Sequence, residues 1–508
     1  MKKFLPDLIA ILAFIILSFA YFFPADIEGR ILFQHDTAAG VGAGQESKEY
    51  LERTGERTRW TNSIFGGMPT YQMSPSYDST TSLKGVEKVY RLFLPDYVVL
   101  TFIMMLGFYI LLRAFGISAW LAGLGGVIWA FSSYFFILIP AGHIWKFVTL
   151  AYIPPTIAGV VLAYRKKYLL GGIITALFIA LQIQSNHIQM SYYFMFVILF
   201  FVGAYFEDAY KKKELPHFFK ASGVLALAAV VGVCINISNL YHTYEYSKET
   251  MRGKSELKQE GAAASQTSSG LDRDYITNWS YGIGETLTLL VPNVKGGGSG
   301  STMSQSEAAM AKANPMYNGI YSQLPQYFGE QPWTAGPVYV GAFVMFLFVL
   351  GCFIVKGPLK WALLGATIFS ILLSWGKNFM GLTDFFIDYV PMYNKFRAVS
   401  SILVIAEFTI PLLAIFALKE ILSKPDTLKL KENRGGVIAT LVLTAGVALI
   451  LAVAPGAFFS GFITTQEMAA LKQALPAEHL APFVANLTEM REAIIASDAW
   501  RSFFIIVI

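Results

Sequence analysis

The sequence predicts an all-α protein that crosses a membrane many times, and three observations support this fold class. Hydrophobic residues make up 55% of the chain and charged residues only 14%, whereas a soluble domain has roughly 25% charged residues. Apolar runs of about 20 residues, long enough to span the hydrocarbon core, recur along the sequence. The short polar turns between these runs carry lysine and arginine in a biased pattern, which is typical of charges that set membrane topology.

Eleven apolar runs are predicted to be complete transmembrane helices. They lie near residues 6–23, 97–113, 118–138, 147–164, 168–185, 190–207, 218–240, 337–355, 360–375, 399–419 and 436–455. A last apolar stretch, 503–508, follows the interface-like pair Trp500 and Arg501, but six residues cannot span a membrane. We therefore predict a truncated twelfth helix and expect the chain to be a fragment.

The basic residues predict the orientation of the chain. Turns on the side of the N-terminus hold most of them, and the positive-inside rule places that side in the cytoplasm. These residues are Arg113, Arg165, Lys166, Lys167, Lys211, Lys212, Lys213, Lys356, Lys360 and the basic residues of 419–434. The opposite short turns hold only Lys146, Lys377, Lys395 and Arg397. The prediction is a single membrane domain, 1–508, with a cytoplasmic N-terminus.

Three long segments, 24–96, 241–336 and 456–500, are predicted to form large loops on the outer side. The second contains the glycine-rich run 296–301. Because no Lys-Ser/Thr pair follows this run, a flexible linker is favoured over a phosphate-binding loop. The third segment is amphipathic and helical in pattern, and no chemistry is assigned to it.

Composition also excludes several classes of protein. The net charge is only +5, and the basic residues are thinly spread, which argues against a nucleic-acid partner. Cys234 and Cys352 both lie inside apolar runs, so a disulfide framework is not expected. Lys2 and Lys3 before the first apolar run resemble a signal peptide. No small-x-small cleavage site follows, and we predict an uncleaved first helix.

An acid and an imidazole, Asp36 and His35, lie just past the first apolar run, where the chain is predicted to leave the lipid. A carboxylate at that boundary stays hydrated and can still reach a substrate anchored in the bilayer. The alternative is that the pair merely caps a helix and starts a loop. His143 and His187 also map to outer helix ends, in near-parallel contexts. Their spacing does not support a metal site, so no cofactor is predicted, although a divalent metal remains an alternative.

Basic residues on the predicted outer side run against the positive-inside rule. They are Lys146, Arg252, Lys254, Lys395 and Arg397. Binding of an anion such as a lipid phosphate explains them, because arginine offers a planar fork and lysine a compact charge. Contact with lipid headgroups is the alternative for each. Asp272, Asp274 and Glu285 are candidates for positioning an acceptor or a divalent ion, with a loop salt bridge as the alternative around Arg273.

Several short phrases form a recognisable combination between Met1 and about Glu407. They are His35-Asp36, FGGMP at 65–69, NHIQM at 186–190, Tyr192-Tyr193, TMRGKSEL at 250–257, GLDRDY at 270–275, WSYG at 279–282 with Glu285, GPVY at 336–339, SWGKNF at 374–379 and YNKFR at 393–397. Together they resemble the bacterial YfhO membrane-protein family, which is similar to the GT-C class of polytopic glycosyltransferases. The family chain usually continues well past residue 508.

The resemblance implies a GT-C-like helix bundle that transfers a sugar from a polyprenyl-phosphate donor to a cell-envelope polymer or glycolipid. The reaction would take place at the outer face of the bacterial cytoplasmic membrane. Asp36 matches the essential acid that such enzymes place in the first outer loop, and it would act as the base with His35 as its neighbour. The substrate-binding candidates are Lys146, His143, His187, Arg252, Lys395, Arg397, Glu285, Asp272 and Asp274.

Two other functions stay open: a transporter or flippase for a lipid-linked sugar, and a non-catalytic scaffold for envelope assembly. Ionisable groups midway through helices would favour transport. The predicted helix interiors are nearly free of charge except at Glu407, whereas the outer segments are large and polar. The sequence therefore favours surface chemistry, and the transferase is the preferred prediction.

The predicted topology can be tested with reporter fusions. Fusions after Lys167, Lys213 and Lys431 should report the cytoplasm, because the basic bias holds at each of these turns. A fusion near Gly298 should report the outer side. A cytoplasmic signal at Gly298 would contradict the orientation and the outer-face site with it.

Overall fold

The structure is a computed structural model that describes residues 4–73, 75, 77–253, 270–459 and 461–508. It is mostly helical, which confirms the predicted all-α class, and apart from isolated bridges the strands in the described residues form one short antiparallel pair. The chain divides into two compact units. Unit 1 comprises Met1–Phe131 and Phe135–Leu271, and unit 2 comprises Ser132–Tyr134 and Asp272–Ile508.

Unit 1 contains the helices of the first half of the chain. They are α1 Leu5–Phe22, α2 His35–Thr54, α3 Thr81–Tyr90, α4 Val98–Ala114, α5 Ala119–Ala130, α6 Ser133–Ala141 from Phe135 onward, α7 Ile144–Tyr164, α8 Tyr168–Gln184, α9 Ile188–Lys211, α10 Leu215–Ile235 and α11 Ile237–Ser247. Strands β1 Trp60–Thr61 and β2 Met68–Pro69 pair antiparallel, with Trp60 opposite Pro69. Two 3-10 helices, Thr70–Gln72 and Asp78–Thr80, complete the unit.

Helix α7 is the central helix of unit 1. It contacts α4, α8, α9 and α10, and every residue from Lys146 to Tyr164 is buried. Glycines allow its neighbours to approach closely: a Cβ at Gly107 of α4 would lie 2.5 Å from the Ala151 carbonyl oxygen of α7. Small residues at such crossings are typical of membrane helices, since close backbone approach increases van der Waals contact.

Unit 2 contains the helices of the second half of the chain. They are α12 Arg273–Thr277, α13 Glu307–Met310, α14 Asn318–Tyr321, α15 Ala342–Ile354, α16 Leu359–Ser374, α17 Met380–Tyr389, α18 Val404–Ser423, α19 Lys431–Leu441, α20 Val447–Val453, α21 Thr465–Ala474 and α22 Ala477–Val507. A π-helical turn, Val442–Gly446, joins α19 to α20. The 3-10 helices are Gly284–Leu289, Met303–Gln305, Pro315–Tyr317, Gly376–Phe379, Tyr393–Lys395, Val399–Leu403, Pro425–Lys429 and Pro455–Ala457.

Two hydrophobic regions organise unit 2. Helix α18 is buried over most of its length and contacts α15 and α16. A separate core joins α13 and α14 to α21 and α22 around Tyr321, Phe483 and Met490. Beside this core lies Arg491, which is fully buried and forms two 2.7 Å hydrogen bonds to the Glu467 carboxylate. The predicted third outer segment is thus a folded helical layer of unit 2.

Six helices of the described chain are long and apolar enough to cross a membrane. The number rises to eight if each of two bent pairs, α5 with α6 and α16 with the segment from Gly376 to Tyr389, forms one span. All eleven predicted runs overlap helices, but α4, α8 and α15 have only 17, 17 and 13 residues. At 1.5 Å per residue they are shorter than a hydrocarbon core of about 30 Å. The multi-pass class is therefore shown, but not the count of eleven.

Two predictions about local structure are wrong. Residues 503–508 do not start a separate helix, because 503–507 form the end of the 31-residue helix α22. The glycine-rich run 296–301 is not a flexible linker. Gly296, Gly297 and Gly298 are buried, and the Ser299 N–H donates to the Thr334 carbonyl at 2.8 Å. The backbone of these glycines is therefore packed against neighbouring segments.

The buried ion pair of unit 2 gives a test of this fold. Arg491→Met should destabilise the protein by about 3–5 kcal/mol, because it leaves the Glu467 carboxylate without its partner in a largely buried place. A lower midpoint of thermal unfolding would show this. The matched control is Lys429→Met, since Lys429 and Asp426 form a pair whose side chains are 82% and 83% exposed. Equal midpoints for the two variants would contradict the structural role of Arg491.

Candidate functional site

Asp36 lies in the first turn of α2, a short distance after α1 ends at Phe22. Gln34 precedes the helix in an extended conformation, and His35 and Asp36 are its first two residues. The aspartate therefore lies beside the free N–H groups of a helix N-terminus, where a negative charge is favoured. The predicted alternative, in which the pair caps a helix and starts a loop, differs from the structure, because the pair forms the first two residues of α2 and the cap is Gln34.

The structure brings Asp36 together with His143, which is 107 residues away in sequence. The His143 Nε2 atom lies 3.0 Å from Asp36 Oδ2, and the two side chains are 48% and 56% exposed. His35 is more peripheral, because its Nδ1 lies 3.6 Å from Asp36 Oδ1 and its side chain is 85% exposed. His143, a predicted substrate-binding residue, is thus the contact partner of Asp36.

The α6–α7 loop that carries His143 is held against the start of α2. The buried Gln34 amide donates to the Ile139 carbonyl at 2.6 Å, and the Thr37 hydroxyl donates to Gln34 Oε1 at 3.0 Å. Gly142 has φ +81°, and a Cβ there would lie 2.9 Å from the Thr37 backbone nitrogen. Only glycine fits this conformation and this approach easily. Gln34, Thr37 and Gly142 are not among the predicted site residues, although all three are next to one in sequence.

Two further candidates, Lys146 and His187, lie near His143. Lys146 follows His143 by three residues at the start of α7, so both lie on the same side of that turn. His187 precedes α9, and burial, followed by the nearby Lys146 charge, lowers the pKa of His187 to about 3. Its Nδ1 atom has no hydrogen-bond partner among the described residues. A neutral imidazole and a buried amine therefore lie close to the Asp36–His143 pair.

The remaining candidate of unit 1 is Arg252. It lies in a turn after α11, and its backbone N–H donates to the Thr250 hydroxyl oxygen at 3.3 Å. Lys254, predicted with it, lies outside the described residues. Arg252 therefore remains a candidate for binding an anion.

In unit 2, the segment from Asp272 to Trp279 pairs with the segment that contains Arg397. The Arg397 guanidinium donates to the Tyr275 hydroxyl at 2.8 Å and lies over the same ring, 5.4 Å from its centre. The Ala398 N–H donates to the Ile276 carbonyl at 3.1 Å. Lys395 is partly buried, which lowers its pKa. The structure thus brings the predicted Asp272 phrase and the predicted Arg397 phrase into one region of unit 2.

The aspartates of the Asp272 phrase are not paired with the arginine between them. Asp272 and Asp274 are exposed, whereas Arg273 donates to Asp384 at 3.1 Å and to Asp388 at 2.6 Å. The salt-bridge alternative is therefore correct for Arg273 but with partners from α17. The two exposed carboxylates keep the role predicted for them, as candidates for positioning an acceptor.

Glu285 differs from the other candidate acids because it is buried, with 2% exposure. The Tyr327 hydroxyl and the Gly282 N–H each donate to its carboxylate at 2.5 Å. Burial raises the pKa of Glu285, and these hydrogen bonds oppose the shift. The sequence analysis named Glu285 but missed Tyr327 and the neighbouring Lys295, since no local pattern connects them.

Comparison with protein-family models, with curated proteins and with solved structures finds no match to this chain. The resemblance to the YfhO family therefore stays a prediction. Within the described part of the chain, no group of three or more His, Cys, Asp and Glu side chains is placed to hold a metal ion.

The loop geometry around His143 is testable by substitution. Gly142→Ala should cost about 1–3 kcal/mol, because it puts a side chain into the left-handed region and against the Thr37 backbone. A lower midpoint of thermal unfolding would be the readout. Gly40→Ala, in the exposed part of α2 with nothing within 4 Å of a Cβ, should be neutral or stabilising, since alanine is the better helix former. A Gly142→Ala variant as stable as Gly40→Ala would contradict the close approach.

Proposed function

We propose that this protein is a GT-C-like membrane glycosyltransferase that moves a sugar from a polyprenyl-phosphate donor to a cell-envelope acceptor. The observation that carries the proposal is the Asp36–His143 pair. A half-exposed carboxylate lies in the first turn of α2, after the loop that follows α1, a helix long and apolar enough to span the membrane, and an imidazole lies 3.0 Å from it. Such a group can take a proton from a hydroxyl of an acceptor that arrives from the aqueous side.

In the proposed reaction, the acceptor oxygen attacks the anomeric carbon of the donor sugar. A carbon–oxygen bond forms to the acceptor, and the bond from the anomeric carbon to the phosphate oxygen breaks. The hydroxyl proton passes to the Asp36 carboxylate, and the electron pair leaves with the lipid phosphate. The His143 Nε2 atom lies 3.0 Å from Asp36 Oδ2; in the proposed reaction a proton on Nε2 is shared with Oδ2, so that Oδ1 accepts the proton of the acceptor hydroxyl.

The leaving lipid phosphate needs fixed positive charge, because its charge develops as the bond breaks. In unit 1, Lys146 is buried at the start of α7 near the pair, and Arg252 is the second candidate. We assign the phosphate to these two cations of unit 1 and propose that the reaction takes place at the outer face of the bacterial cytoplasmic membrane, the side that the basic bias of the turns predicts for this loop. Lys395 and Arg397, predicted with them, lie in unit 2, where the Arg397 guanidinium is held over the Tyr275 ring, and they stay candidates for binding an anion there.

A transporter for a lipid-linked sugar is the second candidate, and one observation favours it. Glu407 is completely buried within the span Val399–Ser423, and the Ser132 hydroxyl donates to its carboxylate. Buried ionisable residues in membrane helices often mark ion or substrate paths. The bent pair of α16 and α17, with an angle of 109°, is also compatible with a discontinuous helix at a transport site.

Asp36→Asn tests the proposed transferase. The amide keeps the size of the side chain but cannot accept a proton, so turnover should fall by about 10²–10⁴-fold. Purified protein in lipid would be incubated with radiolabelled polyprenyl-phosphate sugars, and transfer to acceptor would be counted. Donor binding should change much less, because the phosphate is assigned to the cations. Wild-type turnover in the Asn variant would contradict the role of Asp36 as the base.

The matched control is Asp78→Asn, which changes an aspartate at the start of a 3-10 helix in the same outer segment. It should leave turnover unchanged. Movement of labelled lipid across the bilayer without transfer to acceptor would instead favour the transporter, and Glu407→Gln should then stop that movement.

A further inference from the structure

Helix α3, Thr81–Tyr90, belongs to the first predicted outer loop, yet in unit 1 it packs against helices of the bundle. The ring centre of Tyr90 lies 5.8 Å from that of Tyr152 in α7 and 5.1 Å from that of Phe178 in α8. Leu83, near the start of the same helix, is buried. One face of α3 is therefore fixed to α7, a helix long and apolar enough to cross a membrane.

These contacts lie well inside the ends of the two bundle helices. Helix α7 has 21 residues and is about 30 Å long, the thickness of a hydrocarbon core. Tyr152 follows its first residue, Ile144, at a distance of about 12 Å along the helix axis. Phe178 precedes the last residue of α8, Gln184, by about 9 Å. A helix that lies in a membrane surface buries its apolar face by about 5–10 Å, so α3 packs at the depth expected for such a helix.

An ion pair of α3 also points to the bundle. The Arg91 guanidinium, directly after the helix, donates to the Tyr152 hydroxyl at 3.2 Å, and that hydroxyl donates to the Glu87 carboxylate at 2.8 Å. Arg91 and Glu87 are themselves 2.5 Å apart and only 27% and 20% exposed. Charged groups at membrane depth face the protein and pair with one another, because lipid cannot solvate them. The ion pair therefore fits a helix that is in contact with lipid on its other sides.

The sides of α3 that do not contact the bundle are of two kinds. At 3.6 residues per turn, Val86 and Val89 project from one flank of the helix. Lys84 and Lys88 project from the opposite flank, one turn apart. All four side chains are exposed. This order is typical of a helix in the plane of the interface, with its apolar flank among the acyl chains and its basic flank at the phosphates.

The turn after α3 adds two exposed apolar side chains, Leu92 and Phe93. Their φ angles are +50° and +55°, a left-handed conformation that is strained for bulky residues. Hydrogen bonds to the Val89 carbonyl at 3.0 Å and the Lys88 carbonyl at 3.2 Å hold this turn, and Phe93 remains 74% exposed. Strain that only exposed a large ring to water would have no compensation, whereas insertion of the ring into lipid provides one.

We propose that α3 and this turn lie in the membrane interface and bind an anionic lipid. Val86, Val89 and Phe93 enter the acyl-chain region, and Lys84 and Lys88 hold the phosphate of a headgroup. Charge restricts the class of lipid, because basic residues near the surface attract anionic headgroups more than zwitterionic ones. The inference does not depend on sugar transfer, so the lipid contacts should be the same in the Asp36→Asn variant.

The position of α3 can be measured with the full chain in lipid nanodiscs. Cys234→Ala and Cys352→Ala remove the two native thiols, and Val89→Cys then provides one site for a fluorescent label. A nitroxide on a lipid acyl chain should quench this label strongly and aqueous iodide only weakly. Lys48→Cys, at an exposed position of α2 in the same outer segment, is the matched control and should show the reverse.

Two results would overturn the placement of α3 in the interface. Iodide quenching at position 89 as strong as at position 48 would show that the helix lies in water. Protection of the label from both quenchers would show that protein, such as a second copy of the chain, covers the apolar flank.

The preference for anionic lipid is measured with the same label in mixed phosphatidylglycerol and phosphatidylcholine. A nitroxide on the acyl chain of phosphatidylglycerol should quench more than the same nitroxide on phosphatidylcholine. Each lysine near an anionic surface changes binding by about fivefold, so Lys84→Gln combined with Lys88→Gln should abolish the difference. Lys48→Gln is the matched control and should keep it. Equal quenching by the two lipids before substitution, or an unchanged preference in the double variant, would overturn the assignment of an anionic lipid to these lysines.

Discussion

The burial of helix α7 on all sides is the constraint on which unit 1 depends. A helix surrounded by other helices needs close backbone contacts, and glycines supply them on two sides. Gly107 of α4 approaches Ala151, and a Cβ at Gly159 would lie 2.7 Å from the Thr175 backbone nitrogen of α8. Because α7 is fixed along its length, its N-terminus is fixed as well. His143 and Lys146 lie there, so the packing of the helices determines where these side chains can act.

The same constraint connects α7 to the acid. The α6–α7 loop is bound to the start of α2 through Gln34, and Gly142 allows the two backbones to touch. The Asp36 side chain is 56% exposed, with the His143 Nε2 atom 3.0 Å from one of its oxygens, a placement compatible with the proposed role of general base. Positioning matters here, because displacement of a reacting group by about an ångström can reduce the rate by about 10²-fold. The contact between the α6–α7 loop and α2 therefore orients the Asp36 side chain, and its exposure leaves it accessible to solvent.

Hydropathy and charge predicted the helical class, and all eleven predicted runs overlap helices. Hydropathy did not predict the helix lengths. Helix α15 has 13 residues and ends at Ile354, whereas the predicted apolar run begins several residues before this helix does. Asp36 was identifiable from its place after the first apolar run. Its partner was not, because His143 is distant in sequence and only the fold brings it near. Likewise, composition cannot distinguish a glycine linker from glycines that pack against carbonyls, as at Gly296.

The environments of two acids explain why chemistry and binding are assigned to different residues. Asp36 is half-exposed, with the His143 Nε2 atom at 3.0 Å, so in the proposed reaction it exchanges a proton with an acceptor and then with water. Glu285 is buried and already accepts hydrogen bonds from Tyr327 and Gly282. Proton transfer to Glu285 would have to disturb both bonds, whereas a hydroxyl can join them without moving the carboxylate. Under the proposed function, environment and not residue type thus distinguishes the carboxylate that takes the proton from the one assigned to substrate binding.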